Sequence, residues 1–228
     1  MMLLLLLAAL PFGVKALTIA AGLWGYGLQS LYKIPQLLVP AAWRFMHGER
    51  GWSVVWPVSE PRPSWRLLLV AVGFSCAFTG TAIALILMLS EPFGMDPMAI
   101  RAGMDLRFAA SPLAAVLIVA FLAVVNSALE ELHFRVWLDR EIAKRMGDAA
   151  GIAVSAFLFS AMHCFIILVL PVELPNLIVA LITIGLALAG TCWSFILRRP
   201  GGAHAAWLSH GLTDALLLGW GLFWLGYL

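Results

Sequence analysis

Three short stretches place ionisable side chains where the surrounding sequence is almost wholly apolar. "NSALEELHFRVWLDRE" holds Glu130, Glu131 and Arg135; "FSAMH" holds Phe159 and His163; "HGLTD" holds His210 and Asp214. On a helix of about 3.6 residues per turn, each of the pairs Glu131/Arg135, Phe159/His163 and His210/Asp214 lies on one face. Glu130 is turned about 100° from Glu131 and is left to face something other than Arg135. Carboxylates and imidazoles brought together can move protons, activate a water or hold a zinc ion. Inside a membrane span each such group costs about 2.5–3.5 kcal/mol on insertion scales, so each asks for a partner or a task.

Every element also has a purely structural reading. Glu131 with Arg135 is an i,i+4 ion pair, His163 a core histidine, and His210 with Asp214 an interhelical clamp. His133 and His204 read as interfacial residues near the span ends. What favours chemistry is the joint occurrence: three helices each carry polar groups that would be costly against lipid, and bundling them around a common interior relieves all three.

The elements that must position these groups are membrane helices. Hydrophobic residues make up 63% of the 228-residue chain and charged residues 11%, with a mean hydropathy of +0.98. That balance lies far from a soluble domain. The apolar runs are continuous and about as long as a hydrocarbon core requires, and they show no alternating barrel pattern. The fold class is therefore all-α, a polytopic membrane bundle of about six transmembrane helices with the site inside it. The expected spans are Met1 to about Tyr32, interrupted by Pro11 and Lys15; Leu67 to Ser90; Phe108 to Leu129; Ala149 to Val172; Leu174 to Leu197; and Pro200 to the C-terminus. Residues 1–110 supply N-terminal helices and a basic connection, and 111–228 the polar-motif core, within one integrated membrane domain.

Lys33, Arg44, Arg50, Arg62 and Arg66 occupy the first connection, Arg140, Lys144 and Arg145 the third, and Arg198 and Arg199 the fifth. The alternate connections hold only Arg101 and Arg107. The positive-inside rule then puts both termini on the non-cytoplasmic side. Trp43, Trp52, Trp56 and Trp65 punctuate the first connection as interfacial anchors. "MMLLLLLAALPFGVK" lacks the basic n-region of a secretory signal and reads as a retained span. Cys76, Cys164 and Cys192 fall inside spans without C-x-x-C spacing and read as packing residues. No basic stripe points to nucleic acid, and the lipid bilayer is the partner the composition demands.

In chain order, "EELHFR" matches E-E-x-x-x-R, "FSAMH" matches F-x-x-x-H and "HGLTD" matches H-x-x-x-N/D. With these motifs on separate spans, the chain from Ser111 onward resembles the CAAX protease and bacteriocin-processing (ABI) family of glutamic intramembrane proteases. The resemblance implies that Glu130 and His163 activate a water, that His210 and Asp214 support the oxyanion, and that Glu131, Arg135 and Phe159 support the site. It implies no metal and no other cofactor. Asp214 stands where the family often has Asn; an ionised aspartate cannot donate to an oxyanion, so it either carries a proton or acts by holding His210.

Other chemistries fit less well. A zincin needs H-E-x-x-H, a rhomboid-type serine protease G-x-S-G, and a presenilin-like protease G-x-G-D. None is present, the nearest approach being "GFSC", which ends at Cys76. Cys164 adjoins His163 but points about 100° away on a helix, which disfavours a thiol–imidazole pair. A non-catalytic immunity factor, transporter or scaffold is the alternative from another class, since a proton relay also uses buried Glu, His and Asp. The resemblance implies as substrate a membrane-anchored protein or peptide with a C-terminal tail, prenylated or of the sorting type, and the short chain with few extramembrane residues and an Ala-, Leu- and Gly-rich composition favours a sorting-type enzyme of a prokaryotic plasma membrane. Oligomeric state is not legible, because Gly185 and Gly190 suit packing within or between chains.

Overall fold

The computed structural model describes residues 1–20, 30–54, 56–57, 60–105, 111–168 and 174–228. Among these it contains no strand and eight helices: α1 (Met2–Ala20), α2 (Lys33–Met46), α3 (Trp65–Ser90), α4 (Pro97–Asp105), α5 (Pro112–Met146), α6 (Asp148–Leu168), α7 (Asn176–Leu197) and α8 (Gly202–Trp224). A 3-10 turn, Gly51–Val54, follows α2. The starts of α3 and α5 are encoded locally. Ser64 and Ser111 sit in extended conformation and accept the amide hydrogens of Leu67 and Ala114, both at 3.2 Å, and Pro112 opens α5 without needing an amide partner.

Of the six expected spans, four meet the length and apolarity a hydrocarbon core requires: α3, α5, α6 over Asp148–Phe165, and α7. The first and last differ. α1 is apolar but shorter, over Met2–Thr18, and passes through Pro11 without a break. α8 has 23 residues, but His204, Ser209, His210, Thr213 and Asp214 dilute its apolar character. Residues 21–29, Arg107, the expected start of the third span at Phe108 and the expected end of the fourth at Val172 lie outside the described residues. The largest correction concerns the third span. Hydropathy ends it at Leu129, whereas α5 continues to Met146, because neighbouring helices bury every residue from Glu130 to Asp139.

The bundle is built with polar groups inside and apolar groups outside, as lipid demands. Leu69, Met88, Phe157, Ile184, Leu188 and Phe223 point outward, while Gln36, Ser75, Thr79, Asn126, Ser127, Ser194 and Thr213 are buried. Packing is most extensive between α6 and α7 and between α5 and both α8 and α6, followed by α3 against α8, and the C-terminal part of α5 also lies against α2. Ser75 donates to the Ser209 carbonyl at 2.8 Å and Ser209 to the Ala71 carbonyl at 3.1 Å, cross-linking α3 and α8.

α5 and α8 approach closely at Gly211, where a Cβ would collide with the carbonyl oxygen of Ala123. Backbone cannot yield as a side-chain tip can, so Gly211→Ala is expected to cost about 1–3 kcal/mol. A lowered unfolding midpoint in detergent would show it. Gly73→Ala, which meets nothing within 4 Å, serves as the neutral control.

Candidate active site

Two stretches of α5, Leu122–Asn126 and Glu131–Asp139, are wound as wide π-helical turns. Such turns are rare and concentrate at functional sites. Here they bracket Glu130, and the Ser155 hydroxyl of α6 donates to the Phe134 carbonyl at 2.7 Å across the widened segment. Glu130, Glu131 and Arg135 are fully buried. The motif thus sits inside the bundle, not at the mouth of a span.

The two glutamates meet the two ring nitrogens of His210. Nδ1 of His210 lies 2.9 Å from Glu131 Oε1, and Nε2 lies 3.5 Å from Glu130 Oε2. An ionised carboxylate only accepts, so His210 donates its Nδ1 proton to Glu131 and turns Nε2 toward Glu130. His163 is aimed from α6: its Nδ1 is 2.9 Å from the Phe159 carbonyl oxygen, which also only accepts. The Nδ1 proton is thereby placed, and the His163 Nε2 lone pair lies 3.9 Å from the same Glu130 Oε2. That oxygen has no hydrogen-bond partner among the described residues. A separation of 3.9 Å is too long for a direct hydrogen bond and suits one bridging water.

Asp214 completes the approach of α8, its Oδ2 lying 3.8 Å from His210 Nε2, beyond hydrogen-bond reach. Phe159 forms the floor. Its ring stands edge-on to His210 with centroids 5.7 Å apart, lies 4.4 Å from the His163 ring and carries the Arg135 guanidinium 4.1 Å from its centroid. Arg135 is paired with Glu131 at 3.6 Å, the i,i+4 pair read from the spacing, and is held chiefly by the faces of Phe159 and Trp193.

All seven residues singled out from the motifs are therefore brought to one place. The separation between the glutamates, Glu131 paired with Arg135 and Glu130 facing other polar groups, gains two further partners. Glu131 also holds His210, and Lys33 Nζ of α2 lies 2.6 Å from Glu130 Oε1. Lys33, expected in a basic surface connection, is buried together with Gln36 and Pro40 on the same face of α2. His133, expected at the interface, is also fully buried, its Nε2 3.3 Å from the Ala8 carbonyl of α1. His204 is half-buried edge-on to Trp56.

Trp193 of α7 is a further residue the motifs do not mark. Its ring stacks on His210 with centroids 4.1 Å apart and planes 15° from parallel, and its Nε1 donates to Ser209 at 3.2 Å. Nothing in its local sequence distinguishes it from an interfacial tryptophan. Lys33 carried a weak signal, its place at the start of an amphipathic segment with Gln36 one turn on.

The architecture is that of a polytopic membrane helix bundle with a buried polar centre. Residues 112–216, from the start of α5 into α8, match the family model described as type II CAAX prenyl endopeptidase Rce1-like. That segment resembles this family of CAAX-type intramembrane proteases, and it contains all three motifs. No curated protein and no solved structure matches the chain.

Proposed function

We propose that the protein hydrolyses a peptide bond near the C-terminus of a membrane-anchored protein or peptide, with Glu130 and His163 activating the attacking water. The observation that carries this reading is the convergence of His163 Nε2 and His210 Nε2 on the unpartnered Oε2 of Glu130, at 3.9 and 3.5 Å. A water between Glu130 and His163 gives one proton to Glu130 Oε2 as its oxygen attacks the scissile carbonyl carbon. The carbonyl π electrons move onto oxygen, where His210 Nε2–H and a protonated Asp214 are the available donors. The C–N bond then breaks, and the proton held by Glu130 passes to the leaving amine. Donation from Nε2 while Nδ1 donates to Glu131 requires His210 as the imidazolium, so with Asp214 protonated the cations Lys33, Arg135 and His210 outnumber the anions Glu130 and Glu131, which favours the developing oxyanion.

The substrate class we favour is a short C-terminal tail attached to a membrane anchor, trimmed in a prokaryotic plasma membrane. The chain's small share of charged residues and the burial of the site fit a substrate delivered laterally from lipid. A second reading, a non-proteolytic membrane protein of the same fold, draws on the Lys33–Glu130 pair, since a structural clamp would occupy the glutamate in the same way.

The deciding experiment measures C-terminal masses of prenylated and of sorting-tail substrates in native membranes carrying wild type or His163→Ala, with and without a chelator. A defined truncation by wild type, lost in a folded His163→Ala and indifferent to the chelator, is the expected result. Unchanged masses with wild type would sink the proteolytic reading, and loss on chelation would reassign the histidines to a metal.

A further inference from the structure

We propose that Lys33 is a positioning residue of the active site: it occupies Oε1 of Glu130 and so leaves Oε2 as the single oxygen available to take the proton from water. The inference rests on the proteolytic reading above. It also implies that the helices preceding the family domain complete the site, because Lys33 lies outside residues 112–216.

A carboxylate has two equivalent oxygens and turns readily about its last side-chain bond. Near His163 and His210 either oxygen could face the water, and a turned carboxylate would face neither well. The ammonium of Lys33 breaks that equivalence. It stands 2.6 Å from Oε1, with the lysine side chain 7% and the glutamate 1% exposed, so bulk water does not compete for the pair. A compact ammonium donates and never accepts, which makes it a lock for one oxygen that cannot itself take part in proton abstraction.

Lys33 is in turn held in place. Its ammonium lies 4.2 Å from the centroid of the buried Tyr32 ring, a cation–π contact away from solvent. One turn along α2, buried Gln36 places Nε2 3.5 Å from Met162 Sδ, next to His163 in the chain. α1 adds the Ala8 carbonyl against His133. The N-terminal helices thus hold α5 at Glu130 and His133 and touch α6 beside His163. A clamp serving stability alone would need only that some acceptor meet Lys33; here the pairing selects one oxygen and leaves its twin at the meeting point of two imidazoles.

The test compares wild type, Lys33→Met and Lys33→Arg in the full chain, in detergent or vesicles, with the peptide substrate identified by the mass assay. Lys33→Met is expected to lower kcat about 100-fold with KM within about threefold, the signature of a misplaced base and not of lost substrate binding. Lys33→Arg, which keeps a cation for Oε1, is expected to recover kcat to within about tenfold of wild type. A Lys33→Met kcat within about threefold of wild type, or a loss confined to KM, overturns the proposal. Lys33→Gln carries the same test should Lys33→Met not fold; if both unfold, Lys33 is a structural clamp and the proposal falls. A wild type that cleaves nothing overturns the proteolytic reading and this inference with it. A wild type that cleaves beside an unimpaired Lys33→Met overturns this inference alone.

Discussion

Glu130→Gln is expected to lower the cleavage rate roughly a hundred- to ten-thousand-fold, the range over which a positioned general base acts. The substitution keeps the shape of the side chain and an acceptor oxygen for Lys33, so the ion pair becomes a hydrogen bond to an ammonium and the packing around it is retained. What it removes is the basicity of Oε2, the oxygen that lies 3.9 Å from His163 Nε2 and 3.5 Å from His210 Nε2. The loss should therefore fall on kcat, with KM little changed, because no contact is removed that binds substrate and transition state alike. Initial rates on the truncated substrate, beside an unfolding midpoint for both proteins, measure it. Cleavage at wild-type rate by the folded variant would exclude Glu130 as the base and leave the buried pair with Lys33 as a structural feature.

The largest stability effect is expected at Arg135. Its guanidinium is fully buried, 3.6 Å from Glu131 and pressed on the faces of Phe159 and Trp193 at 4.1 and 5.2 Å. Arg135→Met keeps most of the volume but leaves the Glu131 carboxylate in the interior with His210 as its main partner, a change worth roughly 3–5 kcal/mol. Denaturant or thermal unfolding in detergent reads this directly. Arg135→Lys retains the charge but not the flat surface that stacks on Phe159, so its stability should lie between those of Arg135→Met and wild type. A loss below about 1 kcal/mol for Arg135→Met would mean that water reaches Glu131 and that the site is wetter than its burial indicates. Activity should fall with stability here, because Glu131 also fixes the Nδ1 proton of His210.

Particular residues show how far sequence reading reaches. Spacing of three and four residues assigns pairs within one helix, and the Glu131–Arg135 contact was legible on that basis. Hydropathy placed four spans close to where α3, α5, α6 and α7 lie, but it ended the third at Leu129. A hydropathy count treats each charge as exposed to lipid, whereas α5 carries its charges against α2, α6 and α8. The same limitation misplaced His133 and Lys33. A positive charge in a connection reads as a topology signal, and only the docking of α2 against α5 turns it into a partner for Glu130.

By itself, then, the sequence determined that this is a bundle of membrane helices, that its polar residues must face inward, and which residues within each helix share a face. These follow from local physics: the cost of bare polar groups in lipid and the pitch of a helix. The tertiary structure alone decided which helices meet. It set both glutamates on the two nitrogens of His210, laid Trp193 flat against that ring, widened α5 around Glu130, and brought Lys33 to one carboxylate oxygen from 97 residues away. Contacts of that range depend on how helices dock, and docking is set by the complementarity of whole faces, which no spacing within one helix records.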